Sequence, residues 1–218
     1  MIIPSNYIVE VFEMLNENDI EYALLTNNGD ELPSKLESGK DIDIIIAPHH
    51  KCLLEETLTK YGYVRIPHPK GKENGWAFSY SLIESQEWRR QGLPFNLSID
   101  VCFQLMCSSL QPKVWVPLDK IINNDVFVKR KYNEIINCWE LDDETRLIYL
   151  IVRCVFDKNH FNDKYVEEIK KRADYYHQES FIAKLEKIFF RFTNELIELI
   201  EKEKFEEIIG NYITFDKY

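Results

Sequence analysis

Two aspartates one residue apart, Asp41 and Asp43, open the run Asp-Ile-Asp-Ile-Ile-Ile, and a third, Asp100, sits inside Leu97-Ser-Ile-Asp-Val-Cys-Phe103. In an extended strand, residues i and i+2 point to the same face, about 6.6 Å apart. Asp41 and Asp43 therefore share one side, while Ile42 and Ile44 share the other. If the two strands pair, Asp100 comes within about 5.5 Å of one of them. Carboxylates converging from adjacent strands are the hard oxygen ligands that Mg²⁺ prefers. A pair of such ions about 3.5 to 4 Å apart activates an oxygen nucleophile and stabilises the leaving oxygen in phosphoryl and nucleotidyl transfer. On this reading Asp41, Asp43 and Asp100 are metal ligands and catalytic residues together. Asp41 and Asp43 hold both ions through the nucleotide phosphates, and Asp100 holds the one that activates the acceptor hydroxyl and takes its proton. The plainer reading makes Asp41 a loop cap, Asp43 a solvated strand residue and Asp100 an outward-facing one. Acids in apolar β-branched strands are costly unless paired or metal-bound, which weighs against it.

Composition narrows the partners. With 218 residues, the chain suffices for one large domain or two small ones, and 45% apolar with 13% aromatic residues is enough to build a core. A formal charge of −10 argues against tight, nonspecific nucleic-acid binding, which needs a positive surface to displace counterions. Lys158, Lys164, Lys170, Lys171 and Arg172 are interrupted by Glu167 and Glu168 and read as a solvated helix face. Five cysteines, without a CxxC pair, suggest neither a zinc site nor a disulfide framework, and Cys102, Cys107 and Cys154 lie among apolar residues. The start, Met-Ile-Ile-Pro-Ser-Asn, lacks the pattern of a secretory leader. The most apolar window, Leu147 to Phe156, is broken by Arg153 and is too short for a membrane span. The expectation is a reduced, cytoplasmic protein that does not engage membranes.

The elements that must carry these residues follow from periodicity. Ile8, Val11, Phe12 and Leu15 predict a helix over 7–18, capped by Ser5 or Asn6. Strands are expected at Tyr22–Leu25, Asp41–Ala47, Tyr63–Ile66, Trp76–Ile83 and Phe95–Leu105, with a helix over Leu53–Tyr61 stopped by Gly62. From Asp142 onward the pattern turns helical: Leu147 to Val155 behind an Asp142 or Asp143 cap, Val166 to Tyr176, and then one stripe from Phe181 to Leu199. Phe205 to Ile209 extends it as far as Gly210, and a strand returns only at Tyr212–Phe215.

Residues 20 to 46, Ile-Glu-Tyr-Ala-Leu-Leu-Thr-Asn … Asp-Glu-Leu-Pro … Lys-Asp-Ile-Asp-Ile-Ile-Ile, resemble the nucleotidyltransferase-fold superfamily. They are most similar to a branch found among surface-polysaccharide genes. Asp142-Asp-Glu-Thr-Arg-Leu … Asp157-Lys-Asn-His-Phe … Asp163-Lys-Tyr resembles the helical region of that branch. The resemblance implies an α+β fold: a nucleotidyltransferase-like mixed sheet with flanking helices over residues 1–128, and a helical C-terminal domain over 129–218 that closes the cleft. It further implies Mg²⁺ or Mn²⁺, an NTP as nucleotidyl donor, and a small-molecule acceptor, a sugar or polyol of polysaccharide synthesis.

The chain departs from that pattern after its first strand. Where the superfamily has Gly-Gly or Gly-Ser to grip a triphosphate, this chain has Thr26-Asn27-Asn28-Gly29, either an amide nest for phosphate or a plain turn. Lys158, with His160, is either a phosphate contact or a polar helix end. Arg153 and His160 have the spacing of an Arg/His pair in a helical ribonuclease family. His49-His50 reads as a loop. Lys70, Lys72, Trp76, Trp88, Arg89 and Arg90 line either a lid or exposed hairpin ends. The sequence thus points to a Mg²⁺-dependent nucleotidyltransferase acting on a hydroxyl or phosphate. The alternative is a catalytically silent, antitoxin-like module that binds a nucleotide or partner on the same fold.

Overall fold

A computed structural model describes residues 1–27, 29–78 and 85–217. The chain is mixed α and β. Helix α1 (Ser5–Glu17) buries Ile8, Val11, Phe12, Met14 and Leu15, and its cap is the extended Pro4 rather than Ser5 or Asn6. There follow β1 (Tyr22–Leu24), β2 (Asp41–Ile46), α2 (Lys51–Lys60), β3 (Tyr63–Ile66), β4 (Ala77–Phe78), β5 (Gln86–Arg90) and β6 (Ser98–Cys102). Next come β7 (Met106–Ser108), β8 (Val114–Pro117), α3 (Lys120–Val128), β9 (Lys131–Asn133) and β10 (Cys138–Glu140). The rest is helical: α4 (Asp143–Val152), a π-helical turn (Arg153–Lys158), α5 (Asp163–Lys170), α6 (Glu179–Phe189), α7 (Thr193–Glu201) and α8 (Phe205–Thr214). Among the described residues no helix is long and apolar enough to cross a membrane.

Seven strands form one mixed sheet in the order β3-β5-β6-β2-β1-β10-β9, with β2–β6 and β1–β10 parallel. A second sheet, β4-β8-β7, flanks it. The alternation of β2 divides the molecule. Ile42, Ile44 and Ile46 join Ile99, Val101, Phe12, Leu15, Leu54 and Leu58 in one core under α1 and α2. Ile45, on the opposite face with Asp41 and Asp43, joins a second core built from α4 and the helices after it. The acidic face of the sheet is thus the face that the helical half covers.

Several expectations are revised. Trp88, Arg89 and Arg90, expected in a lid or at exposed hairpin ends, lie on β5 inside the main sheet, with Trp88 in the core. The expected strand Trp76–Ile83 is described only as β4; the remainder lies outside the described residues. Strands β9 and β10, expected among the helices, complete the main sheet, so the sheet reaches past residue 128. The stripe Phe181–Leu199 is two helices, broken where Phe190 takes φ 50°. Residues 205–214 are one helix, and Gly210 and Tyr212 lie within it.

Helix α4 carries the covering half. Leu147, Ile148, Leu150, Ile151 and Val152 are all fully buried, as in a helix enclosed on every side. Asp142 caps it, accepting from the amides of Glu144 and Thr145 as expected. Glu144 accepts from Lys184 Nζ on α6 at 2.6 Å, and the same ammonium lies 2.5 Å from Asp125 on α3. Lys129 approaches both acids, at 2.9 and 3.2 Å. Burial pushes both carboxyls up, but the hydrogen bonds and charge of Lys184 and Lys129 outweigh it and hold them below their usual range. Their contribution to stability is therefore present above the unfolded carboxylate range and lost as pH falls through the depressed folded values. Lys184→Met is expected to destabilise by about 3 kcal/mol at neutral pH, because it strands two buried charges with Lys129 alone. Urea unfolding should show that loss shrinking as pH drops below about 4; an unchanged midpoint at neutral pH would discount the network.

Candidate active site

The three sequence-selected acids meet. In the β2–β6 ladder Asp43 is the direct partner of Asp100, with Asp41 opposite Ser98 on the same face of β2. All three line one cleft of about 710 Å³ between the acidic face, the loop after β3, and the π-helical turn. Their side chains are not sunk: Asp43 is 28% and Asp100 30% exposed.

Of the shell around them, Thr26, Arg153, Lys158, Lys70 and Trp76 stood out in the sequence, whereas His68, Tyr149 and Trp115 did not. His68, from the loop after β3, lies 3.2 Å from Asp100 Oδ1 through Nε2, and its Nδ1 accepts from the Lys70 amide at 2.9 Å. With Nδ1 occupied as acceptor, Nε2 carries the proton and donates to Asp100. Thr26 Oγ1 donates to Asp43 Oδ2 at 3.3 Å, and Arg153 Nη1 stands 3.7 Å from the same oxygen. Arg153 in turn donates to the Tyr149 hydroxyl at 3.3 Å, while its Nε is buried without a hydrogen-bond partner among the described residues. The π-helical turn brings Arg153, Asp157 and Lys158 to the cleft together; such widened turns recur at functional sites. Asp157 Oδ1 accepts from the Ser108 amide at 2.8 Å and ties the turn to β7, and Asn159, left-handed at φ 49°, ends it. Lys70 lies over Trp115, 4.8 Å from the ring centre, with Trp76 behind. Across the mouth, Glu31 bridges Lys40 and Lys164 at 3.1 and 2.6 Å, joining the loop after β1 to α5.

The electrostatics are those of crowded like charge. Partial burial, then Asp100, Glu87 and Asp43, push the Asp41 carboxyl up to about 6, with His68 opposing. Asp41 opens to water at the mouth, which screens much of this. Burial and Asp100 also raise Asp43, against the pull of Arg153, Thr26 and Lys158. Burial alone would lower His68; the hydrogen bond and charge of Asp100, with Glu87, raise it instead. Burial lowers Lys70 and raises Cys102, so its thiol is no nucleophile.

The remaining expectations divide. Thr26, Asn27 and Lys158 line the cleft. The Asn27 side chain accepts from the Leu32 amide at 2.9 Å, and Gly29, at φ 72°, is exposed and does not line the cleft. Asn28 lies outside the described residues. His160 is exposed and does not line the cleft, which separates it from Arg153. His50 Nδ1 accepts from the Glu21 amide, a structural role. Arg172, expected on a solvated face, is buried between Glu168 and Asp143.

The donor set suits a hard divalent cation, because carboxylate oxygens are its ligands and its charge would relieve the repulsion among Asp41, Asp43 and Asp100. As they stand, no three His, Cys, Asp or Glu side chains among the described residues are drawn tightly enough to hold an ion. Asp43 is turned to Thr26 and Arg153, and Asp100 to His68. The chain matches no family model and no curated protein. The His68 geometry is directly testable. Long-range ¹H–¹⁵N NMR at about pH 9, where imidazole is neutral, should show the Nε2–H tautomer; an Nδ1–H form would contradict the hydrogen bond from Lys70.

Proposed function

We propose that the chain is a Mg²⁺-dependent nucleotidyltransferase that moves a nucleotidyl group from an NTP to a small-molecule acceptor. The observation that carries the reading is the in-register pair Asp43–Asp100, with Asp41 on the same face, in a cleft whose opposite wall holds Arg153 and Lys158. Carboxylates facing cations across one cleft suit a polyphosphate bridged to metal, and the resemblance over residues 20 to 46 agrees. When bound, Mg²⁺ or Mn²⁺ held by Asp41, Asp43 and Asp100 would supply charge neutralisation at the phosphates and acidify the attacking hydroxyl.

The chain's own groups do the rest. Arg153 and Lys158 take the phosphate oxygens, the guanidinium being held only loosely by Asp43, 3.7 Å from Nη1. Tyr149 and the π-helical turn hold that guanidinium in place. His68 fixes the Asp100 carboxylate, which accepts the proton of the acceptor hydroxyl. The covering helical half narrows access to water.

One observation favours the silent binding module instead: Asp43 and Asp100 already have protein partners in Arg153 and His68. Titration calorimetry with Mg²⁺ and each NTP, alongside product analysis, separates the two, since binding without turnover belongs to the module. For the transferase, Asp43→Asn should cut turnover at least about a hundredfold. Mg²⁺ with NTP should raise the melting temperature of the parent protein but not of that variant. Because the acids repel one another, Asp41→Asn should melt no lower than the parent. Intact turnover in both variants would refute the reading.

A further inference from the structure

The carboxylate row does not stop at Asp100. Strand β5 pairs antiparallel with β6 so that Glu87 is the direct partner of Asp100, as Asp100 is of Asp43. Three neighbouring strands thus present Asp43, Asp100 and Glu87 side by side on the face that lines the cleft. Trp88 turns into the opposite core, which fixes the orientation of Glu87. Glu87 is only 9% exposed. Arg89, two residues along the same face, reaches its Oε1 at 3.4 Å. A carboxylate has about four acceptor positions, so acceptor capacity remains.

Charge is unevenly distributed along this row. Arg153, Lys158 and Lys70 act on one another and on Asp157, near Asp43 and Asp100. Glu87 instead acts on Asp41 and on His68, whose ring already donates to Asp100. An incoming polyphosphate is therefore drawn to the Arg153–Lys158 end, while at the β5 end the cation Arg89 is already paired with Glu87.

Resting on the transferase reading, we propose that the acceptor binds at the β5 end as an unphosphorylated polyhydroxyl compound, with Glu87 accepting a hydrogen bond from a hydroxyl adjacent to the reacting one. The reacting hydroxyl oxygen forms a bond to the α-phosphorus of the NTP as the bond from that phosphorus to the bridging oxygen breaks. Pyrophosphate leaves, and the hydroxyl proton passes to Asp100 and then to water. His68 is not the base, because both ring nitrogens are engaged.

The test pairs a ribonucleoside triphosphate mixture and Mg²⁺ with glycerol, sorbitol and glucose, against the monophosphate of each, read by mass spectrometry. The unphosphorylated compounds should be used with at least about tenfold higher kcat/KM. Glu87→Ala should raise the acceptor KM about tenfold or more, the expected loss of a hydrogen bond to a charged group, with the NTP KM within about twofold. Glu87→Gln keeps the volume and removes the charge, and should narrow the discrimination against monophosphates. Preference for phosphorylated acceptors in the parent, or equal effects of Glu87→Ala on both KM values, would overturn the acceptor assignment while leaving the transferase intact. Pyrophosphate release with no acceptor class preferred would do the same. Absence of both NTP binding and turnover would instead remove the transferase reading, and this inference with it.

Discussion

The parallel pairing of β2 with β6 is the constraint that the rest of the molecule answers. Its register sets Asp43 against Asp100 and leaves Asp41 on the same face. A slip of one residue would turn those acids into the isoleucine core and bring Ile42 and Ile44 out. The apolar side chains under α1 and α2 therefore enforce the register, and the register enforces the crowding of charge. What remains is to cover an acidic face without closing it, and the helical half does so by packing apolar side chains on Ile45 and setting Arg153 and Lys158 at the cleft.

Two of the charge networks among the described residues behave in opposite ways. Around Lys184, the ammonium sits between Asp125 and Glu144, Lys129 adds a second cation, and both carboxyls titrate below their usual range. Such a network pairs each acid with a cation and holds helices together. Around Asp43 the carboxyls of Asp41 and Asp43 are pushed upward, because burial and mutual repulsion exceed what Arg153 and His68 return. Acids left with unrelieved charge in a cleft cost stability without serving packing, and that imbalance is the mark of a site shaped for something else to enter. The first network also serves the second, since it anchors α4, from which the Arg153 turn continues.

The alternation Asp-Ile-Asp-Ile-Ile-Ile carried the site in the sequence because period-two patterning fixes which side chains share a face, and the structure keeps that division. The Asp142 cap and the Tyr63–Ile66 strand were legible for similarly local reasons. What the sequence hid depends on tertiary cover. Gln-Glu-Trp-Arg-Arg has the charge of an exposed hairpin, and its place between β3 and β6 inside the sheet is what the local pattern does not show. His68 lies in a Pro-flanked loop without periodicity, and its partner is 32 positions away. Strands β9 and β10 are three residues each, too short to show a period. Phe190 breaks a stripe whose apolar spacing continues across the break, so the pattern alone could not place the kink.

Arg153 decides how the acidic face should be understood. A guanidinium meant only to neutralise Asp43 would sit in a bidentate pair near 2.8 Å, the geometry that gives such pairs their strength. Instead one nitrogen stands 3.7 Å from one oxygen, the tyrosine below takes a second contact, and Nε is buried without a partner among the described residues. An unmet donor inside a protein costs free energy, but Arg146 Nε shares that condition among the described residues, so what sets Arg153 apart is its loose geometry toward Asp43. Its planar fork is suited to phosphate oxygens as much as to carboxylate. On the proposed reading, the loose pair with Asp43 is the resting partner of a cation that a larger anion would engage, and the same exchange would free Asp43 for its own ligand.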